Sequence, residues 1–315
     1  MRGFIANTDF EWYSFLSVQP DIDEVDFWQP SGGRGFRAVP VGSPFFFRLK
    51  SPHNAVAGFG YYASHSALPA WLAWEAFGIK NGARDFDEMR ARIERYRRRF
   101  ASGASDRPGD YDVGCIMIAS PVFFPRELWV REPSDWHQNI VVGRGEDLTQ
   151  GEGRRILSEC LDRVAQVGAP MLAGATLAVE DGPRYGTPIE MTPRLGQGIF
   201  RVTVLDAYSR ACAVTDEHSL PVLDAAHIKP YGQGGAHDIR NGIVLRSDIH
   251  RLFDLGYVTV TPDYRFRVSE SLAEEYHNGR DYYSRQGSAL HVPNAGDLQP
   301  DRELLAWHGE SVFRA

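Results

Sequence analysis

The sequence predicts an α+β protein of two domains, and three observations predict it. Short apolar runs bounded by turn residues alternate with amphipathic segments of helical period through the first ~165 residues. A stretch rich in glycine and proline, 169–197, then breaks the pattern. After it, a strand, a polar loop and a short helix follow in order over 221–256. At 315 residues the chain is long enough for two domains of ordinary size. The expected division is therefore a domain over 1–168, a linker over 169–197 and a domain over 198–315.

Within the first domain, FFFRLK (45–50) and AVAGFGYYAS (55–64) read as paired strands, because SPHN between them has turn chemistry. ALPAWLAWEAFG (67–78) reads as a short helix ended by Gly78. Residues 85–100 read as a second helix, with acids early and arginines late, as the helix dipole favours. VGCIMIASPVFF (113–124) is an expected buried strand, and 151–168 a further helix. In the second domain the pattern gives a helix leading to a turn over 200–216, a strand over 221–231 and the loop GQGGAHDIRN, read as flexible. A helix over 247–256, with Ser247 as its N-cap, and a hairpin over 257–269 complete it.

Composition narrows the class. A hydrophobic content of 43% with 24% charged residues fits a soluble globular protein. No apolar run reaches the ~18 residues that a membrane helix needs, and the N-terminus has no signal-peptide pattern, so the expected compartment is the cytoplasm, without a membrane partner. Cys115, Cys160 and Cys212 are odd in number and far apart, which argues against a disulfide framework and against a structural zinc. The net charge of −7 counts mildly against a nucleic-acid partner, but its distribution matters more. Arg90, Arg92, Arg95, Arg97, Arg98 and Arg99 form either a solvated helix face or a phosphate-contacting stripe.

The residues that carry chemistry lie in the second domain. Asp224-Ala-Ala-His227-Ile-Lys-Pro, Asn241-Gly-Ile and His250-Arg-Leu-Phe-Asp254 fall on the expected strand, loop end and helix, with Cys212-Ala-Val-Thr upstream. This stretch, about 200–270, resembles the HNH endonuclease family of ββα-metal architecture. The resemblance implies a metal-dependent phosphodiester hydrolase in which His227 takes a proton from water, Asn241 holds the His-bearing loop and His250 ligates the metal. A neutral imidazole suits the first role, since its ordinary pKa of ~6.5 lets it accept a proton near neutrality. Lys229, Arg246 and Arg251 flank the site as expected phosphate contacts.

One position departs from the family pattern. Where many relatives carry a metal-binding acid just before the first His, this chain has Ala226. Strict strand alternation puts Asp224 on the side of position 226, so Asp224 is the expected substitute ligand. Asp254 and His237 are weaker candidates. Mg²⁺ or Mn²⁺ suits such a set best, with Ni²⁺ or Zn²⁺ tolerated by the imidazole.

The first domain is similar, less specifically, to the PUA-like group of small β-barrels, with flanking helices. That group includes modules of the SRA and EVE type, which occur fused to HNH nucleases in modification-dependent restriction enzymes. The resemblance implies a pocket for a flipped, modified base such as a methylated or hydroxymethylated cytosine. Asn7, Asp9, Trp12, Trp28 and Tyr61 are the expected lining. Double-stranded modified DNA is the expected partner and a homodimer the expected assembly, since two cuts are needed to break a duplex. Three alternatives stay open: a nicking nuclease indifferent to modification, a nucleic-acid-binding protein with an inactive HNH fold, and an RNA substrate.

Overall fold

The structure, a computed structural model, describes residues 1–32, 35–100, 111–167 and 195–314; most of the expected linker lies outside them. The chain divides into two compact units, Met1–Ile199 and Phe200–Ala315.

The first unit is built on a mixed sheet. In chain order its elements are β1 (Arg2–Thr8), α1 (Phe10–Leu16), β2 (Glu24–Gln29), β3 (Pro44–Leu49), β4 (Ala55–Pro69), α2 (Ala70–Phe77), α3 (Phe86–Phe100), β5 (Asp112–Phe123), β6 (Val130–Arg131), β7 (Gly143–Asp147) and α4 (Gly151–Val167). The strand order is β2-β5-β4-β3-β1-β7, with β6 paired to β4. The β1–β3 pair is parallel and its neighbours are antiparallel.

The run Phe45-Phe46-Phe47 shows how the sheet makes two cores. Successive side chains on a strand point to opposite faces. Phe45 and Phe47 join Phe4, Trp12 and Leu16 in one buried cluster. Phe46 joins Ile5, Phe59 and α4 residues Ile156 and Cys160 in the other. The helix expected from residue 67 starts later, at Ala70, because Leu68 and Pro69 still pair with Val113 and Asp112 of β5.

The arginines of α3 are mostly committed within the unit. Arg90 meets Asp87, Arg92 meets Glu88 and Glu11, and Arg95 meets Glu11. Arg97 donates to the Pro30 carbonyl and lies over the Tyr111 ring. For Arg90, Arg92 and Arg95 the acid-paired helix face is the arrangement found, because Glu11 from α1 and the helix's own acids neutralise them. The Arg99 side chain lies outside the described residues.

The second unit begins within α5 (Gln197–Ala207), which ends where Ser209 and Arg210 turn to positive φ. Then come β8 (Leu223–His227), β9 (Gly242–Arg246), α6 (Ser247–Asp254), β10 (Val258–Val260), β11 (Phe266–Val268), α7 (Ser271–Tyr276), α8 (Arg280–Tyr283) and α9 (Arg302–Ser311). β8 and β9 form an antiparallel pair, and β9 runs directly into α6. Their apolar sides share one core that includes Phe200, Leu223, Ala226, Ile243, Ile249 and Phe253. Ser247 is the first helical residue and not the cap. Arg246 holds the cap position, and the Ser247 hydroxyl donates to the Val222 carbonyl.

One buried group in the first unit is under electrostatic strain. Asp26 on β2 is fully buried, with no N–H or O–H donor on either carboxylate oxygen among the described residues. Burial pushes its pKa up to about 8, with the Cys115 thiol acting in the opposite direction. The folded state therefore keeps a proton that the unfolded chain releases near pH ~4. Stability from this group is complete below that value and is lost as pH rises towards 8. Asp26→Asn removes the titration. Thermal unfolding of the variant and the wild type at pH 5 and pH 8 should show a gain for Asn of on the order of 5 °C at pH 8, and a smaller one at pH 5.

Candidate active site

The site is carried by β8, β9, α6 and the connection between the two strands. His227, the last residue of β8, pairs with Gly242, and Asp224 pairs with Leu245. Because β9 continues into α6, this register sets Asp224 close to the start of the helix. On α6, Ile249 and Phe253 are buried one turn apart. The next positions, His250 and Asp254, are then also one turn apart, on the flank of the buried stripe.

His250 lies between two carboxylates. Its Nδ1 is 3.2 Å from Asp224 Oδ2, and its Nε2 is 3.4 Å from Asp254 Oδ2. Burial lowers the His250 pKa, but these carboxylates together outweigh it, and the net shift is upward. Asp224 moves the other way, its carboxyl held below the usual range by the hydrogen bond to His250. Burial along β8 does not follow simple alternation. Leu223 and Ala226 are buried, while Asp224, Ala225 and His227 are half-exposed. An acid at position 226 would sit in the core, so the carboxylate that reaches His250 comes from position 224.

His227 is in a different environment. Its ring stacks on Phe200 at 3.9 Å between centroids and 13° between planes. Its Nε2 is 3.0 Å from Nδ1 of His237. Burial lowers its pKa to about 4, and the neighbouring His237 and His250 charges add to that shift. His227 is thus neutral at physiological pH, the state a proton acceptor needs.

Asn241 closes the connection between the strands. Its side chain is buried and fully bonded: Oδ1 accepts from the Lys229 N–H, and Nδ2 donates to the carbonyls of Lys229 and Ala236, each at 2.9 Å. The loop is accordingly pinned, in contrast to the flexible loop its glycines suggest. Gly235 is required there, since a Cβ would stand 1.9 Å from the Lys229 carbonyl oxygen. From the other side, His308 of α9 braces α6. It is buried, stacks on Phe253 at 3.7 Å, and places Nε2 at 3.2 Å from the Phe253 carbonyl.

The flanking cations differ in availability. Arg246 is held by both oxygens of Asp248, at 2.7 and 2.8 Å, which leaves little of its charge for a phosphate. Lys229 rests its ammonium over the Trp307 ring at 5.2 Å. Arg251 is exposed and makes no ion pair among the described residues.

Among the described residues no group of three His, Cys, Asp or Glu side chains is arranged as a cation cage. Asp224 and His250 nevertheless fit a divalent ion as a two-donor set. Asp224 Oδ2 and His250 Nδ1 lie 3.2 Å apart, so one ion would be within reach of both. The set is one hard oxygen and one imidazole, with Asp254 placed to orient the ring through its other nitrogen.

Of the five residues expected to line a base pocket, Asp9 and Trp28 both meet Tyr96, while the others lie apart from them. Trp12 and Tyr61 are buried in the two cores on opposite faces of the sheet, because strand alternation and the α1 packing send them inward there. They are corrected to core residues. Asn7 accepts from Arg48 and donates to the Ile140 carbonyl. Asp9 caps α1 and accepts from the Tyr96 hydroxyl. Trp28 donates to the Asn81 carbonyl at 3.0 Å. Phe200 and the close His227–His237 pair were not foreseen; no sequence spacing signals a stacking partner 27 positions away, since only the fold brings α5 beneath β8.

This geometry agrees with the comparisons. Residues 212–261 match the model of the HNH_2 family, described as HNH endonuclease. The C-terminal unit therefore contains an HNH endonuclease domain, and the protein is an enzyme of the nuclease class. HNH nucleases generally depend on a divalent metal. No curated protein matches the chain. Among solved structures, it is similar to an ASCH protein from Zymomonas mobilis at 11% identity, covering 49% of this chain and 94% of that one, with a TM-score of 0.29. The Y47F mutant of that protein gives 12% identity, 49% and 96% coverage, and a TM-score of 0.30. A structure titled modification dependent TagI restriction endonuclease gives 12% identity, 97% and 79% coverage, and a TM-score of 0.25. No helix among the described residues is long and apolar enough to cross a membrane.

The Asn241 clamp yields a direct expectation. Asn241→Ala leaves one N–H and two carbonyls without their partner. At ~1–3 kcal/mol per unsatisfied buried group, partly relieved by water, the unit should lose about 2–4 kcal/mol. A denaturant titration reads this as a lower midpoint with an unchanged slope.

Proposed function

We propose that the protein is a metal-dependent DNA endonuclease that cuts duplexes carrying a modified base, with the N-terminal unit as the reader. One observation carries the nuclease chemistry. A neutral imidazole, His227, and a carboxylate–imidazole pair, Asp224 and His250, are held on one ββα element by the Asn241 clamp. The two histidines are pushed in opposite directions, His227 down and His250 up. Opposed environments of this kind separate an acceptor of protons from a group that serves in another role.

In this reading His227 takes a proton from water as the water oxygen attacks phosphorus. Asn241 keeps the loop after His227 in place, and so limits the movement of the ring during that step. Arg251 and Lys229 are the cations available to hold the phosphate backbone. A divalent cation held by Asp224 and His250 would supply stabilisation of the negative charge developing at the phosphate and the leaving oxygen. Mg²⁺ or Mn²⁺ suits the oxygen donor best.

The reading of a modified base rests on the resemblance of the N-terminal sequence to PUA-like modules fused to nucleases. With Trp12 and Tyr61 committed to the cores, Asn7, Asp9 and Trp28 remain as its candidate contacts. A two-fold homodimer would bring one nuclease unit to each strand.

The test uses supercoiled plasmid containing cytosine, 5-methylcytosine or 5-hydroxymethylcytosine, with Mg²⁺ or Mn²⁺. The wild type should cut a modified plasmid in preference to the unmodified one, and chelation should stop it. His227→Ala should lose ~10²–10⁴-fold in rate while still retarding the same DNA on a gel. Absence of metal-dependent cleavage on every plasmid would remove the nuclease proposal. Equal cleavage of all three would remove the modified-base reader alone.

A further inference from the structure

We infer that His237 is the positioning partner of His227, accepting a hydrogen bond that fixes the proton of His227 on Nε2 and leaves Nδ1 open to water. The inference deepens the nuclease reading and rests on it. It begins from the 3.0 Å separation of His227 Nε2 and His237 Nδ1. Two neutral imidazoles at this distance share one hydrogen, so one ring donates and the other accepts.

Two arrangements are available. If His237 donates from Nδ1, the lone pair on His227 Nε2 is consumed and the His227 proton sits on Nδ1. His227 then offers water no basic nitrogen. If His227 donates from Nε2, its Nδ1 keeps a free lone pair, and His237 carries its own proton on Nε2. This second arrangement puts both rings in the Nε2–H tautomer, the commoner form of neutral histidine. The first puts both in the rarer form. No hydrogen bond from His227 Nδ1 to protein is found among the described residues, which leaves that nitrogen for water.

The surroundings hold the pair in register. Phe200 stacks under His227, and Tyr231 stacks on His237 at 4.9 Å and 8°. The Ala236 carbonyl, immediately before His237, is tied to Asn241 Nδ2. The clamp that fixes the strand connection therefore also fixes the acceptor.

The proton and bond changes balance. A water O–H bond breaks as His227 Nδ1–H and the O–P bond form. The P–O3′ bond breaks, and the leaving oxygen takes a proton from solvent. His227 becomes an imidazolium whose Nε2–H still points at His237 Nδ1. A hydrogen bond from a charged donor is stronger than one from the neutral ring, so the contact gains strength as the transition state forms. A partner of this kind acts on kcat more than on KM.

The experiment compares the full-length wild type, His237→Ala and His237→Asn. It combines the plasmid cleavage assay with ¹⁵N NMR of the His227 ring at neutral pH. In the wild type, His227 should carry its proton on Nε2. His237→Ala should show a mixture of tautomers and lose roughly 10–100-fold in kcat, as for other residues that orient a functional histidine, with KM little changed. Imidazole in the buffer should restore part of the loss. His237→Asn should recover most of it, because Oδ1 of asparagine stands where Nδ1 stood and also accepts. Wild-type cleavage by His237→Ala, or a His227 proton on Nδ1 in the wild type, overturns the inference. If His237→Ala fails to fold, His237→Asn and the wild-type spectrum decide. If the wild type itself does not cleave, the nuclease reading falls, and the tautomer is still read independently by NMR.

Discussion

The active-site unit depends on a single amide. Asn241 lies fourteen residues after His227, yet its three hydrogen bonds tie the two ends of the strand connection to each other and to the middle of the loop. A polar connection of this length would otherwise sample many conformations, at a cost of about 1–2 kcal/mol per residue to order. Asn241 is suited to the task because one side chain offers both an acceptor and two donors. An aspartate of the same shape could accept from Lys229 but could not donate to two carbonyls. The clamp works at short range because residue 235 has no side chain to hold the backbone apart.

On that frame the site is sorted electrostatically. His227 is half-buried against the Phe200 ring, and that burial favours its neutral form. His250 faces two carboxylates, which favour a positive charge in its place, whether a proton or a cation. The same residue type is thus given two roles by its neighbours. The packing that makes this possible is apolar: Ile249 and Phe253 anchor α6 in the core, and His308 braces it from behind.

The N-terminal unit shows a different balance. Its aromatic content fills two layers, one on each face of the sheet, and so accounts for residues that in isolation suggest a binding surface. Its arginine-rich helix meets acids from α1 and from its own preceding turn. A net negative chain can still meet a polyanion locally, and in the second unit Arg251 is exposed and makes no ion pair among the described residues.

Much of the catalytic unit was legible in the residues themselves. The order of His227, Asn241 and His250, the glycine after the short helix and the apolar spacing of Ile249 and Phe253 define a strand, a loop and a helix from local chemistry alone. The two-fold alternation of Phe45, Phe46 and Phe47 likewise announces a strand buried on both faces. What sequence could not supply was the contact itself between groups separated along the chain. Asp224 reaches His250 because β8 and β9 pair in one register, and a shift by one residue would redirect its side chain. Trp12 and Tyr61 became core residues because a sheet has two sides to cover, and which aromatic serves which side is settled only when helices pack on it. His237 stood as a weaker candidate for a ligand, and folding set it against His227 instead. Backbone propensity and periodicity are local and survive in the sequence. Register, stacking and the pairing of titratable groups act across long chain separations, so the tertiary structure alone decides them.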